Sequence, residues 1–146
     1  MLTLYTVPDV PSVQAIPLAQ SSVAAGFPSP AEGRMEGTLD LNQLVIRRPH
    51  ATFFVRVEGD SMRGAGILAG DLLVVDRGEP VRDGSVVLAV LNGEFTVKRW
   101  RCVSGRWVLQ PAHPDYPSIE VGECDFEIWG VVTHSVRNHL MRTCSP

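Results

Sequence analysis

Two residues of types suited to peptide-bond chemistry stand 37 positions apart in this chain, Ser61 and Lys98. Ser61 lies in Glu58-Gly59-Asp60-Ser61-Met62, a turn closing the apolar run Thr52-Phe53-Phe54-Val55-Arg56-Val57. Lys98 lies in Gly93-Glu94-Phe95-Thr96-Val97-Lys98-Arg99. A serine hydroxyl becomes a nucleophile only with a base beside it, and a lysine is that base only when neutral. Upstream, Ala24-Ala25-Gly26-Phe27-Pro28 offers a small-residue bond on an uncharged arm, a good peptide to cut. Nucleophile, base and a candidate substrate bond, Ala25-Gly26, therefore share one chain of 146 residues.

The elements around these residues must tune them. In a strand side chains alternate faces, so Thr96, Lys98 and Trp100 share one face and Lys98 lies beside bulky Trp100. Burial there lowers a lysine pKa from its reference of about 10.4. The sharp turn after Gly59 lets backbone N–H groups point at a reacting carbonyl, and the expected oxyanion hole is the N–H of Ser61 with that of Asp60. Taken singly, each residue has an ordinary reading: a serine after Gly-Asp caps a turn, and a strand lysine is solvated. Met62 reads as packing. Asp71 and Asp76 sit at strand ends, where aspartate satisfies turn amides. His50, His113, His134 and His139 fit no metal site and no Ser-His-Asp triad, and no metal or cofactor is expected.

The chain divides by charge. Residues 1–25 carry one charged side chain, Asp9, and all thirteen Lys and Arg residues follow Gly26. Pro8, Pro11 and Pro17 forbid regular pairing in this first segment, which reads as an extended arm. Its many apolar side chains point to docking on its own domain or a partner's; a disordered tail is the other reading, although such tails are usually charged. From Ala51 onward the pattern is strand and turn. Phe53-Val57, Leu72-Val75, Val86-Leu91, Glu94-Trp100, Arg99-Val103, Arg106-Gln110 and Phe126-Val132 read as strands, the last extending to Val136. Asn92-Gly93 and Ser104-Gly105 mark hairpins. Leu39-Ile46 is the one helical candidate. The expected body, residues 26–146, is a compact, curved, mainly antiparallel β domain.

Composition narrows the function. At 45% hydrophobic and 20% charged the chain is ordinary globular material, and a net charge of −3 gives no sign of tight, non-specific nucleic-acid binding. Cys102, Cys124 and Cys144 match no zinc or CxxC spacing and read as reduced thiols of a cytoplasmic protein. No stretch approaches the ~20 apolar residues of a membrane span, and the N-terminus lacks the basic region of a secretory signal.

Six motifs in order carry a family resemblance: Phe27-Pro28-Ser29-Pro30-Ala31, Leu39-Asp40-Leu41-Asn42-Gln43-Leu44, Gly59-Asp60-Ser61-Met62, Gly70-Asp71-Leu72-Leu73-Val74-Val75-Asp76, Gly93-Glu94-Phe95-Thr96-Val97-Lys98 and Trp129-Gly130-Val131-Val132-Thr133-His134. Through them the chain resembles the LexA-type self-cleaving serine–lysine peptidases (S24), in their UmuD branch. The resemblance implies Ser61 as nucleophile, Lys98 as general base and cleavage at Ala25-Gly26, with alanine before the glycine as in LexA-like members. Ala65-Gly66 and Ala69-Gly70 pair the same residues but are expected to be shielded within the domain. The resemblance further implies a bacterial DNA-damage (SOS) role. A RecA filament on single-stranded DNA would stimulate cleavage, and residues 26–146, as a homodimer, would support translesion synthesis by a UmuC-type polymerase. The apolar final strand Trp129-Val136 is a candidate edge or interface.

Three other functions compete. A LexA- or phage-type repressor needs a DNA-binding domain before the cleavage site, and the 25 residues there hold three prolines and no basic residue, so no direct sequence-specific DNA binding is expected. A signal peptidase needs a membrane anchor. A catalytically inactive interaction module would have no use for Ser61, Lys98 and Ala25-Gly26 together.

Overall fold

The computed structural model describes residues 4–6, 13–19, 25–26, 35–122 and 124–140. The Phe27-Ala31 motif and Cys144 lie outside them. The main sheet has eight strands, all joined antiparallel, in the order β1-β4-β5-β10-β6-β7-β8-β9. The strands are β1 (Leu4–Thr6), β4 (Thr52–Arg56), β5 (Leu72–Asp76), β6 (Val86–Leu91), β7 (Glu94–Val103), β8 (Arg106–Gln110), β9 (Ile119–Glu120) and β10 (Phe126–Val136). A separate ribbon pairs β2 (Ile16–Ala19) with β3 (Met35–Leu39), and α1 spans Leu41–Val45. The mainly-β, curled antiparallel body matches the sequence expectation.

Turn chemistry sets the register around the lysine. Asn92 and Gly93 have φ of 50° and 81°, and Ser104 and Gly105 have 51° and 77°. Two consecutive left-handed residues make the hairpin turn whose twist matches paired strands. Both expected hairpins therefore form, but Glu94-Trp100 and Arg99-Val103 are one ten-residue strand, β7, whose two halves serve different hairpins. At α1, the Asp40 side chain accepts the Asn42 N–H at 3.1 Å and caps the helix.

The core occupies both faces. Val55, Val57, Met62, Ile67, Leu73, Val75, Leu88 and Val97 form one cluster. Val87, Ala89, Leu109 and Val131 form the other, under Trp100, Ile119 and Phe126. Consecutive residues of β6 enter opposite clusters, as a strand covered on both faces requires.

Two expectations are corrected here. The arm does pair: β1 lies on β4, with Tyr5 opposite Phe54, and β2 pairs with β3 across Pro17 and Thr38. In a two-stranded ribbon each strand has an open edge, and Pro17 need only direct its nitrogen there. The final strand is not an edge of the sheet. β10 pairs with β6 through Phe126–Val131 and with β5 through Val131–Val136, joining the two halves, with register shifts between Ile128 and Gly130 and between Val132 and His134. A Cβ at Gly130 would fall 2.7 Å from Val75 Cγ1, so glycine is what lets β10 lie this close to β5.

Candidate active site

Strand β4 runs into the loop that carries Ser61. Two backbone bonds close the loop at its base, Gly70 N–H to Val57 O at 2.8 Å and Val57 N–H to Asp71 O at 2.9 Å. Asp71, 1% exposed, accepts the Leu68 N–H at 2.9 Å and a two-pronged bond from Arg137, Nε to Oδ1 at 2.7 Å and Nη2 to Oδ2 at 2.6 Å. The Arg137 bond holds the Asp71 carboxyl below the usual carboxylate range against the opposing effect of burial. Inside the loop Met62, 2% exposed, packs into the first core and anchors the backbone next to Ser61. The loop is also fastened to the segment after β8: Ala112 N–H donates to Ser61 O at 2.8 Å, and Gly64 N–H to Ala112 O at 2.7 Å. Met62 is packing, as its sequence context implied.

Lys98 reaches the serine from β7. Its Nζ lies 2.9 Å from Ser61 Oγ, and it donates to Thr96 Oγ1 at 2.8 Å and Val97 O at 3.1 Å. Lys98 is 9% exposed, and burial pushes its amine below the ordinary ammonium value. A cavity of about 90 Å³ opens beside the pair, lined by Val57, Glu58, Gly59, Ser61, Met62, Thr96, Val97 and Lys98. Its apolar wall is Val57, Met62 and Val97. Trp100, the expected neighbour, is not in that wall: it stacks on Trp107 (4.9 Å, 6°) and Phe126 (5.3 Å, 13°) in the second core. Sharing a strand face fixed its direction, and the long lysine stem carries the amine away from it.

Asp60 is held apart from this cavity. Its carboxylate accepts the Tyr116 hydroxyl at 2.7 Å and lies 3.5 Å from His113 Nε2. The Tyr116 bond is the first cause that lowers its pKa, and its own backbone N–H and the charges of His113 and Arg63 also contribute. Ala25 and Gly26 form an exposed bend between β2 and β3, and a Cβ on Gly26 would meet nothing within 4 Å. Ala25 and Gly26 are thus open to solvent. Ala69 and Gly70 are exposed, against expectation; what holds them is the backbone, through Gly70 N–H to Val57 O and Arg56 Nη1 to Gly70 O at 3.0 Å. Asp71 and Asp76 serve turn amides, Asp76 Oδ1 accepting Gly78 N–H at 2.8 Å, and Arg48 pairs with Asp76 at 2.7 Å.

Sequence reasoning missed Thr96, Ala112, His113, Tyr116 and Arg137. One signal was available for the lysine: of the thirteen Lys and Arg residues only Lys98 is lysine. Arginine keeps its proton in proteins, so it supplies charge but no base. Among the described residues no group of three or more His, Cys, Asp or Glu is placed to hold a metal ion, and no helix is long and apolar enough to cross a membrane.

The chain is similar to known proteins over most of its length. Residues 17–133 match the family described as peptidase S24-like. Protein SamA of Salmonella typhimurium is 47% identical over 133 residues, 91% of this chain and 93% of SamA. Protein MucA of Escherichia coli is 44% identical over 129 residues, 87% of this chain and 88% of MucA. A LexA repressor of Halorhodospira halophila is 48% identical over 99 residues, 68% of this chain and 43% of the repressor. With most of its length matched, the chain belongs to the peptidase S24-like family, the self-cleaving serine peptidases of LexA and UmuD type.

Proposed function

We propose that this chain is a serine endopeptidase that cuts its own Ala25-Gly26 bond with Ser61 as nucleophile and Lys98 as general base. The observation that carries the reading is the 2.9 Å approach of a buried lysine amine to the serine hydroxyl. The neutral amine takes the hydroxyl proton as Oγ attacks the Ala25 carbonyl carbon. The N–H groups of Ser61 and Asp60 receive the oxyanion. The ammonium then returns the proton to the departing Gly26 nitrogen, leaving Ala25 esterified to Ser61. Water, deprotonated by the same amine, hydrolyses that ester.

The exposed bend at Ala25-Gly26 is a resting placement, and cleavage requires it to enter the cavity. That movement and the deprotonation of Lys98 gate the reaction, so a tethered substrate can still be cut slowly. A RecA filament on single-stranded DNA favours the entered state. Residues 26–146 are the product, a cytoplasmic homodimer that supports error-prone DNA synthesis with a UmuC-type polymerase in the damage response. Kinship with SamA and MucA supports this assignment.

The test is the intact mass, under denaturing conditions, of wild type, Ser61→Ala and Lys98→Ala after incubation at about pH 10, where alkalinity favours the neutral lysine amine, and separately with RecA, single-stranded DNA and a nucleotide analogue. Denaturation matters because β1 and β2, upstream of the cut, are paired to β4 and β3 and could hold the fragment in place. A break at Ala25-Gly26 in wild type alone is the expected result. An unbroken wild type under both conditions would remove the enzymatic reading.

A further inference from the structure

The loop that carries Ser61 contributes Val57, Glu58, Gly59, Ser61 and Met62 to the wall of the cavity, and skips Asp60. The skip has a structural cause in a segment fifty residues away. Tyr116 donates its hydroxyl to Asp60 Oδ1 at 2.7 Å, and His113 Nε2 lies 3.5 Å from Oδ2. The Asp115 N–H donates to His113 Nδ1 at 3.1 Å, so the neutral ring carries its proton on Nε2, facing Asp60. The His113 ring also packs edge-on against Tyr116, with centroids 5.2 Å apart at 85°. Both residues ride on the segment that Ala112 fastens to Ser61 and Gly64. The carboxylate, half exposed, is thus gripped from one side by a hydroxyl and an imidazole.

We propose that Tyr116, backed by His113, is a positioning residue that holds the Asp60 carboxylate out of the cavity and so keeps it from pairing with Lys98. The inference rests on the serine–lysine reading above. Asp60 is bonded to Ser61, whose Oγ is 2.9 Å from the Lys98 amine. Released, its side chain is free to sample the other staggered rotamers. An anion within about 4–6 Å of an amine favours the ammonium, and an ammonium is no base. The tether therefore protects what burial achieves, and burial is the cause that lowers Lys98 while no effect of Asp60 upon it enters. The charged and titratable groups around the two centres are Tyr116, His113 and Arg63 facing Asp60, Asp115 beside His113, and Glu58 at the cavity wall with Lys98.

A single lysine makes the test direct, because lysine-selective isotope labelling gives one side-chain amine signal, that of Lys98. We would titrate it by NMR in Ser61→Ala protein, which stays whole, with and without Tyr116→Phe, and with Tyr116→Phe plus Asp60→Asn. Tyr116 is 43% exposed and loses only its hydroxyl, so the fold is not at stake. The expected result is a rise of about one pH unit in the Lys98 midpoint with Tyr116→Phe, returned to the parent value by Asp60→Asn. In chains that keep Ser61, the cleavage profile of Tyr116→Phe shifts to higher pH by the same amount and reaches the same plateau. A midpoint unmoved by Tyr116→Phe, or a rise that survives Asp60→Asn, would overturn the proposal. Failure of the peptidase reading looks different: wild type would not cleave, while the titration would remain readable.

Discussion

Thr96 and Lys98, two residues apart on one face of β7, are joined by a 2.8 Å hydrogen bond from the lysine amine to the threonine hydroxyl. A neutral amine has two N–H groups and one lone pair. In the neutral form Thr96 Oγ1 and Val97 O would receive the two N–H groups, which would leave the lone pair for the Ser61 hydroxyl 2.9 Å away. The alternation of a strand places the threonine where it can do this.

Thr96→Val keeps the shape of the side chain and removes the acceptor. The amine then has one fewer partner to orient it and one buried N–H unsatisfied, a loss of about 1–1.5 kcal/mol. Self-cleavage should slow roughly tenfold at fixed pH, and Thr96→Ser should recover most of the rate. First-order decay of intact mass measures both. Equal rates for Thr96→Val and wild type would mean that Val97 O and packing orient Lys98 unaided.

Lys98 should cost the fold stability that its chemistry requires. Its pKa is lowered by burial, so between the folded value and the ordinary lysine value of 10.5 the unfolded chain binds more protons than the folded one. Stability then rises with pH across that window, and below it the full penalty applies, about 1.4 kcal/mol for each unit of lowering. Lys98→Met fills the same space without a charge. It should abolish cleavage and raise Tm at neutral pH, with the gain shrinking as pH climbs toward 10.5. Thermal unfolding of Ser61→Ala and Ser61→Ala/Lys98→Met across pH isolates this effect. A gain that does not change with pH would assign it to packing alone.

Much of this was legible in the sequence, and what was not had a common cause. Asn92-Gly93 and Ser104-Gly105 fixed both hairpins because their demand for left-handed backbone is local. Ser61 and Lys98 were singled out by residue type and family spacing, and the structure brings them to 2.9 Å. Trp100 was misjudged because strand alternation gives a direction and no neighbour; its neighbours Trp107 and Phe126 come from β8 and β10. Tyr116, Ala112 and Arg137 were missed because their partners Asp60, Ser61 and Asp71 lie dozens of residues upstream. No local rule announces such a bond. Pro17 misled in the opposite sense, since its rule concerns central strands and β2 is in a two-stranded ribbon.

The Arg137–Asp71 pair should set the acid limit of the domain. Its hydrogen bonds hold Asp71 below the ordinary aspartate value of 3.8, so the unfolded state binds the proton more readily. The stabilisation is fully present above 3.8 and is lost as pH falls through the lower folded value. Arg137→Leu removes the partner and leaves a buried carboxylate with only the Leu68 N–H among these contacts. The midpoint of acid unfolding, followed by circular dichroism, should move to higher pH, and the loop should admit protease cleavage sooner. Asp71→Asn in the Arg137→Leu background should reverse the shift. If Arg137→Leu leaves the acid midpoint in place, the pair contributes nothing specific to the loop.

Gly64 should matter to catalysis without touching substrate. A Cβ there would fall 2.6 Å from Ala112 O, a backbone atom that cannot swing aside, and Gly64 N–H is bonded to that same oxygen at 2.7 Å. Gly64→Ala must therefore push the loop off the Ala112 segment, whose Ala112 N–H also donates to Ser61 O. Strain of this kind costs about 1–3 kcal/mol, and the displaced Ser61 should cut more slowly even where the protein is fully folded. Gly66→Ala is the control. It has φ of +79° but nothing within 4 Å of the added methyl, so it strains the loop without parting Ser61 from Ala112. At a temperature where both variants are folded, Gly64→Ala should lose far more rate than Gly66→Ala for a similar loss of Tm. Matching rates in the two would mean that the serine is positioned by Met62 and the core, and that its attachment to Ala112 serves stability only.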